Sequence, residues 1–542
     1  MGYLRNLREH LGELERQNLL VRVREPINKD TEMHPLVRLQ FRGLPPHQRR
    51  GFFFENVADS RGRKFDIPVA VGVVASSPQI YASGMQCTSP LEVMERWQRA
   101  VEHPIPPDKV ERGPVQEIIW EGSQLQGIGN GLDALPIPIS TPGFDAAPYI
   151  TAGHWHTKDP QTRVRNVGNY RGMLKAPDRT GVYVAGSQHI GIHWETCRRL
   201  GIPLEAAIVV GVPPVVSFCA VSKLAYGVDE LGVAGGMAGE PIPVIPCRTI
   251  DMEVPAEAEF VIEGKIRTDI LEPEAPFGEY HGYMAGIVMN PVFEVSAITM
   301  RRSPIWVSFL SQYPPSESSQ IRQIPNERLF LKFLRHDCNN PAVRDVMFPQ
   351  YAGSMEMIVV VLAPTHPSQV WKALNAAVAL EASYGKIVIA VDEDVDAQDP
   401  EALWWAVNYH CQPHRDIRIT RGKVGLATFS VGPDVDESMF TATYPEFQGV
   451  SAMLIDATRK WAYPPLSLPR RDIMEGAAER WRKLGLPELN LRRPWFSAGT
   501  EKWNEEARAA AELALNGEYL KTGELRMAKR VASGQTQGRP TA

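Results

Sequence analysis

The chain has 542 residues, a hydrophobic fraction of 44%, a charged fraction of 22% and a formal charge of −5. These values fit a soluble globular enzyme of roughly three or four domains, and the acidic balance excludes the basic stripe of a nucleic-acid binder. No apolar run approaches the roughly 18 residues of a membrane span. The N-terminus lacks a signal-peptide core, and six cysteines without a C-x-x-C pair fit reduced thiols in a cytoplasm.

Leu4, Leu7, Leu11 and Leu14 recur at helical spacing, so the chain opens on an amphipathic helix ending near Asn18. Gly51–Phe54 and Pro68–Val74 read as strands and Pro90–Val101 as a helix. Together they make an N-terminal α/β region over 1–118, closed by Pro104, Pro106, Pro107 and Pro114. From 119 to 312, short apolar strands are broken by Gly, Pro and Asp, the texture of a barrel or sandwich. Within it Arg163–Leu174 and Gly181–Trp194 read as the two strands of a hairpin turning near Pro177–Asp178, which sets Asn166 opposite His189. That pair is either half of a metal site or an ordinary cross-strand hydrogen bond. His154 and His156 alternate onto one face of a strand, and His410 and His414 straddle a proline. Neither pair has a nearby third ligand, which favours structural roles. Gly232–Gly239 reads as a loose glycine-rich loop without the spacing of a phosphate-binding motif.

Residues 313–338 read as a linking helix. The order Met355–Leu362 strand, Ser368–Ala382 helix, Lys386–Val391 strand and Glu401–His410 helix then implies a C-terminal α/β domain over 339–465, with a parallel or mixed sheet. Asp392, Glu393, Asp394 and Asp396 follow a strand, either as solvated acids or as a Mg²⁺ site. Residues 466–542 form an extension with helices near 471–484 and 501–515 and a last stretch, 530–542, of disordered composition. The fold class is mixed α/β (α+β) and multidomain.

The stretch Glu274-Ala275-Pro276-Phe277-Gly278-Glu279-Tyr280-His281-Gly282-Tyr283 places two carboxylates around a Pro-Phe-Gly turn, with aromatic residues beside them. Proline and glycine shape the backbone between the acids, and an apolar wall favours the neutral acid form, which donates a proton. Taken alone, the stretch is equally a strand-to-strand turn bearing two surface acids.

Three elements in order, Asn166-x-x-x-x-Arg171, Gln188-His189 and Glu274-x-Pro-Phe-Gly-Glu279-x-His-Gly-Tyr, resemble the UbiD-type decarboxylases, which use prenylated FMN. The likeness runs from the N-terminal helix to about residue 462. It implies that 119–312 is a split β-barrel-like prenylated-FMN-binding domain and that the C-terminal α/β domain serves oligomer contacts. It also implies a catalytic network of Arg171, Glu274 and Glu279. Arg171 pairs with Glu274, and Glu279 returns a proton to a covalent cofactor–substrate adduct after CO₂ leaves. A divalent metal, Mn²⁺ foremost or else Mg²⁺ or Fe²⁺, is implied on Asn166, His189 and Glu230, the last in the matching context Gly227-Val228-Asp229-Glu230. An amide oxygen, an imidazole and a carboxylate form a borderline-hard donor set suited to these ions, with positions left for a cofactor phosphate. Cofactor contacts by resemblance are Asn166, Val167, Gly168, Asn169, Tyr170, Arg171, Gln188, His189, Glu230 and Lys386, and K⁺ is held largely by backbone carbonyls. Asn166 and Arg171 are five apart and would face opposite sides of a regular strand, so Gly168 is the expected place for a bulge that resets the alternation.

The implied reaction is reversible non-oxidative decarboxylation of an aromatic, heteroaromatic or α,β-unsaturated carboxylic acid. The long C-terminal extension prompts an alternative substrate, an aromatic acyl-CoA bearing a free carboxylate (phthaloyl-CoA type). A non-catalytic flavin- or metal-binding assembly protein would not need the full Arg-Glu-Glu set, and a metal-dependent hydrolase would rest on His154 and His156. Expected partners are the acid and CO₂, a flavin prenyltransferase as cofactor supplier, and copies of the chain in a homodimer or homohexamer. Neither nucleic acid nor membrane is expected. Substrate-pocket side chains are expected within Leu426–Asp436.

Overall fold

The computed structural model describes residues 2–184, 188–381, 383–421, 423, 451–497 and 503–530. The opening helix, Leu7–Arg16, begins where the Asn6 side chain accepts the Glu9 N–H, and it buries Leu7, Leu11 and Leu14. Beside it lies a sheet of order Leu20–Val23, Gly51–Phe54, Val69–Val71 and Trp306–Ser308. Its last strand arrives from far along the chain, whereas a smaller sheet of Ile27–Asn28, Val57–Ala58 and Lys64–Phe65 lies wholly within residues 1–118. One apolar core runs from Tyr3 to Ile321.

The central sheet runs Arg165–Asn169, His154–Lys158, Leu204–Val210, Phe260–Glu274, Val288–Met300, Arg179–Val182, Gly172–Ala176 and Tyr149–Ile150, with Ile118–Glu121 branching from Val288–Met300. Arg165–Asn169 and Gly172–Ala176 are consecutive in the chain yet lie near opposite ends of this path, separated only by Tyr170 and Arg171. The sheet must therefore curl until its ends meet, as a half-barrel. The Trp155 indole N–H closes the seam by donating to the Tyr170 carbonyl at 2.9 Å.

Three expectations are corrected here. Gly172–Ala176 and Arg179–Val182 do pair around Pro177–Asp178, but the flanking strands are shorter than their apolar pattern suggests. The first breaks at Tyr170–Arg171, and the second stops at Val182, ahead of a helix, His189–Leu200. Asn166 consequently faces Thr157, not His189. The pairing of Arg165–Asn169 with His154–Lys158 runs in unbroken register through Gly168, so no bulge forms there, and the alternation is reset at the Tyr170–Arg171 break. Residues 232–238 are not a loop but most of a helix, Glu230–Ala238. Its glycines serve close packing, since a Cβ on Gly235 would stand 2.2 Å from the Ile105 carbonyl oxygen and one on Gly236 2.7 Å from that of His103.

The linking helix, Glu317–Lys332, is capped by Ser316 and runs into a wider turn, Phe333–Asp337. It leads to a mixed sheet of order Val343–Met347, Met357–Leu362, Ile387–Asp392, Ser451–Asp456 and Ile417–Arg421, whose middle three strands are parallel. Alternate residues serve its two faces. Ile358, Val360 and Val388 pack with Leu374 and Ala377 of one helix, and Val359, Val361 and Ile389 with Leu403 and Ala406 of another. Beyond it, Arg471–Lys483, Glu505–Leu515 and an unexpected third helix, Tyr519–Met527, have no buried residue. The segment Leu426–Asp436 and residues 531–542 lie outside the described residues. Among the described residues no helix is long and apolar enough to cross a membrane.

Candidate active site

Glu274 ends the long strand Phe260–Glu274, where it is fully buried, and Arg171 reaches it from the barrel seam. The Arg171 Nε donates to Glu274 Oε1 at 2.9 Å and Nη2 to Oε2 at 2.5 Å. Asn290, on the neighbouring strand, adds a third bond to Glu274 Oε2 at 3.1 Å. Gly181 leaves room for this acid, because a Cβ there would come within 3.0 Å of Glu274 Cγ. The remaining arm of the guanidinium, Nη1, donates to Glu279 Oε1. Two rings sandwich the cation, with Tyr183 at 4.7 Å and Phe277 at 5.4 Å from ring centroid to Cζ. Burial alone would lower the Arg171 pKa, but Glu279 and Glu274 outweigh it and hold the guanidinium charged, above the usual arginine value.

The segment between the acids differs in detail from a Pro-Phe-Gly turn. The chain reverses at Ala275, whose φ is 80°, and Phe277–Gly278 pairs with Met284–Ala285 as a small hairpin. Glu279 opens its tip, where the Glu279 N–H donates to the Tyr283 carbonyl and the Gly282 N–H to the Glu279 carbonyl, both at 3.0 Å. Gly278 keeps an ordinary φ. Its lack of a side chain matters because a Cβ would stand 2.3 Å from Thr141 Oγ1. The two acids thus differ in environment: the Glu274 side chain is 0% exposed and that of Glu279 is 22% exposed. Beside the tip, burial pushes the His281 pKa below the usual imidazole value, with Glu279 opposing it. Tyr280 lies under Arg322 of the linking helix at 4.0 Å.

Five residues earlier on the seam strand, the Asn166 amide donates to Thr157 Oγ1 at 3.2 Å, which turns its oxygen towards the Tyr170 hydroxyl at 3.5 Å. Thr157 Oγ1 is also 2.9 Å from His193 Nδ1. Gly168 lets the Tyr170 ring fold back over the strand, since a Cβ would meet its hydroxyl at 2.4 Å. Glu230 is the first residue of its helix and 5% exposed. Its Oε2 accepts the Val167 N–H at 3.0 Å, and its Oε1 lies 3.9 Å from His189 Nδ1. Burial raises the Glu230 pKa against the pull of His189. His189 starts a helix whose N-cap residue is Gln188, and the Tyr170 hydroxyl takes the Ile190 N–H of its first turn. Asn169 donates to the Thr151 carbonyl at 3.1 Å, and its buried Oδ1 has no partner among the described residues.

The donor set fits a divalent ion. A buried carboxylate faces an imidazole instead of a lysine or arginine, and an amide oxygen is oriented by a hydroxyl on its far side. Among the described residues no three His, Cys, Asp or Glu side chains form a group that could hold a metal. The hydrolase reading lacks a metal site: among the described residues no third His, Cys, Asp or Glu joins His154 and His156. His154 Nε2 bonds Ser217 Oγ at 2.9 Å, and burial lowers the pKa of His154 to about 3 and that of His156 well below the usual value. Both imidazoles are buried in the core. Lys386 immediately precedes Ile387–Asp392, the middle strand of the C-terminal sheet, and its charge opposes the raised pKa of Glu356. His410 bonds the Ala457 carbonyl, and Asp392 and Asp394 pair with Arg459. These are structural.

Asp145, Thr157 and Asn290 are the site residues that the sequence reading missed. Each acts through a partner on another strand or segment, Asp145 at Gly278, Thr157 at Asn166 and His193, and Asn290 at Glu274. A carboxylate in the turn Thr141-Pro142-Gly143-Phe144-Asp145 and an amide inside an apolar strand were the available signals.

Residues 108–314 match the family model described as the 3-octaprenyl-4-hydroxybenzoate carboxy-lyase Rift-related domain, and residues 322–457 match the corresponding C-terminal domain. Among solved structures, an evolved dimeric form of the UbiD-class enzyme HmfF from Pelotomaculum thermopropionicum, in complex with prFMN, is 30% identical. The match covers 86% of this chain and 97% of that one, with a TM-score of 0.72. The vanillic acid decarboxylase of Sedimentibacter hydroxybenzoicus in its open form is 25% identical, over 89% of this chain and 100% of its own, with a TM-score of 0.73. An uncharacterised protein of Synechocystis sp. is 27% identical over 519 residues, 90% of this chain and 97% of its own length. Family models over both regions, and a 30% identical relative aligned along almost its whole length, establish that the chain belongs to the UbiD family of carboxy-lyases.

Proposed function

We propose that this enzyme removes CO₂ from an aromatic, heteroaromatic or α,β-unsaturated carboxylic acid with prenylated FMN as cofactor. The observation that carries the reading is the single guanidinium of Arg171 shared between a fully buried Glu274 and a partly exposed Glu279. When bound, prenylated FMN supplies the electron sink that an sp² carbon lacks when it loses CO₂. Asn166, His189 and Glu230 would hold a divalent ion against the cofactor phosphate. The prFMN bound in the HmfF complex supports the choice of cofactor.

The chain's own residues then have separable tasks. Glu274 and Asn290 fix the Arg171 fork. Arg171 orients Glu279 and offers positive charge to the incoming carboxylate. The Tyr183 and Phe277 rings exclude water from the guanidinium. After the C–C bond breaks, the carbon that lost CO₂ takes up a proton from the Glu279 carboxyl. Water restores that proton in the next turnover. A K⁺ on backbone carbonyls, a Lys386 contact with the phosphate, assembly into a homodimer or larger, and dependence on a separate flavin prenyltransferase belong to the same proposal.

The test is production with and without a flavin prenyltransferase, recording the mass and absorbance of the bound flavin, followed by panels of free acids and aromatic acyl-CoA thioesters. Decarboxylation confined to prenyltransferase-matured protein, and lost in Glu279→Gln with flavin retained, supports the reading. Full activity in that variant would sink it.

A further inference from the structure

The hairpin that carries Glu279 is held from behind by residues 141–149, more than a hundred positions upstream. Asp145 Oδ1 accepts the Gly278 N–H at 3.1 Å, and its Oδ2 accepts the Thr141 N–H at 2.6 Å, so one carboxylate ties two segments together. The Ala146 N–H and the Tyr149 hydroxyl both donate to the Pro276 carbonyl at 3.3 Å. The Tyr149 ring lies 4.4 Å from that of Phe277. Thr141 Oγ1 fills the space that a side chain at position 278 would need. Gly278 immediately precedes Glu279, so whatever fixes its N–H fixes the start of the acid's own backbone. Asp145 also lies within the field of Arg171, which opposes the effect of burial on its carboxyl.

We propose that Asp145 is a positioning residue for decarboxylation: by gripping the Gly278 N–H, it sets where the Glu279 carboxyl meets Arg171. This rests on the reading of Glu279 as the proton donor. The remaining contacts from 141–149 to 276–278 come from the Ala146 N–H, the Tyr149 ring and hydroxyl, and the Thr141 hydroxyl. Asp145 is therefore the one side-chain carboxylate that couples the upstream segment to the acid hairpin among the described hydrogen bonds.

The experiment uses full-length, prenylated-FMN-loaded Asp145→Ala and Asp145→Asn beside the parent enzyme and Glu279→Gln. Amide hydrogen exchange over 276–283 reads the grip directly and needs no substrate, and kinetics against pH read its consequence. In Asp145→Ala the expected result is at least tenfold faster exchange at Gly278. A tenfold or greater fall in kcat should accompany it, with KM within about twofold, flavin content unchanged and the pH profile of kcat displaced. Asp145→Asn, which keeps one carbonyl acceptor of the same shape, should recover part of both effects and covers the case in which the alanine variant folds poorly. Parental kcat and pH profile in an Asp145→Ala protein whose Gly278 exchange is accelerated would overturn the proposal. Unchanged exchange would do so as well. If Glu279→Gln retains activity, the proton-donor reading fails instead, and the two failures are distinguishable.

Discussion

Glu274 takes the Arg171 guanidinium by two parallel hydrogen bonds, Nε to Oε1 at 2.9 Å and Nη2 to Oε2 at 2.5 Å, and leaves only Nη1 for Glu279. The fork is therefore committed to the acid that never meets solvent, and the acid at the open edge borrows what remains. Truncating the two acids should separate stability from turnover. Glu274→Gln places an amide N–H₂ among three donors in a dry site and should cost about 3 kcal/mol, by analogy with breaking a buried ion pair. Its melting temperature falls and its activity falls with it. Glu279→Gln should lose on the order of 10²–10⁴ in kcat while melting within a few degrees of the parent. Thermal melts and turnover measured on the same preparations decide. Equal destabilisation by both changes would contradict the division.

Thr157 makes a second separation possible. Its hydroxyl oxygen receives the Asn166 amide and faces His193, so it decides which end of that amide points into the site. Thr157→Val keeps the shape and removes the acceptor. The expected loss is roughly 10- to 100-fold in Mn²⁺ affinity, the usual effect of removing a group that orients a ligand. Chelator competition followed by elemental analysis measures it without any turnover assay.

Gly235 touches none of the proposed ligands, yet a methyl group there meets the Ile105 carbonyl oxygen at 2.2 Å. The helix Glu230–Ala238 would have to shift away from the chain at 105, taking Glu230 with it. Gly235→Ala should cost about 1–3 kcal/mol, as overpacking does, and lower bound metal in the same protein. A variant that melts early but keeps its full metal content would show that the helix start moves independently of its middle.

Asp145 gives a dependence on pH. Burial raises its pKa from 3.8 to about 6, against the N–H groups of Thr141, Gly278 and Ser140 and the Arg171 charge. Between these two values the folded chain binds a proton that the unfolded chain has released, so this group's contribution to stability is largest below pH 4. It declines as pH rises to about 6 and is flat above that. The full span is at most about 3 kcal/mol, from roughly 1.4 kcal/mol per pKa unit. Urea midpoints of the parent relative to Asp145→Asn should therefore converge or cross as pH climbs from 4 to 6.5, with no further change to pH 8.

Much of the fold was legible because periodicity reports burial directly. The C-terminal strands and helices alternate apolar residues on two faces, and the observed elements follow that pattern to within a few residues. The site was legible through a motif order that resembles a family, and Arg171, Glu274 and Glu279 do meet. What sequence spacing could not convey was where strands end. Gly181–Val184 continues in alternation towards Trp194, yet the chain turns into a helix after Gln188, which supplies no Ser, Thr, Asp or Asn cap to announce it. The glycines of 232–239 read as freedom, whereas tertiary contact uses them for close approach. Asp145 was invisible because its meaning lies 133 residues away, at Gly278.

The seam of the barrel has one further consequence. Asn166 and Arg171 are joined by four intervening residues, and an extended chain spans at most about 3.5 Å per residue. The separation between the proposed phosphate anchor and the acid network is thus a property of bond lengths, with side-chain packing only refining it. Breathing of the sheet can open the mouth of the site, but it cannot pull these two groups beyond that tether. A single residue inserted between Tyr170 and Arg171 would lengthen it, and should be tolerated far less well than the loss of any one ring around the guanidinium.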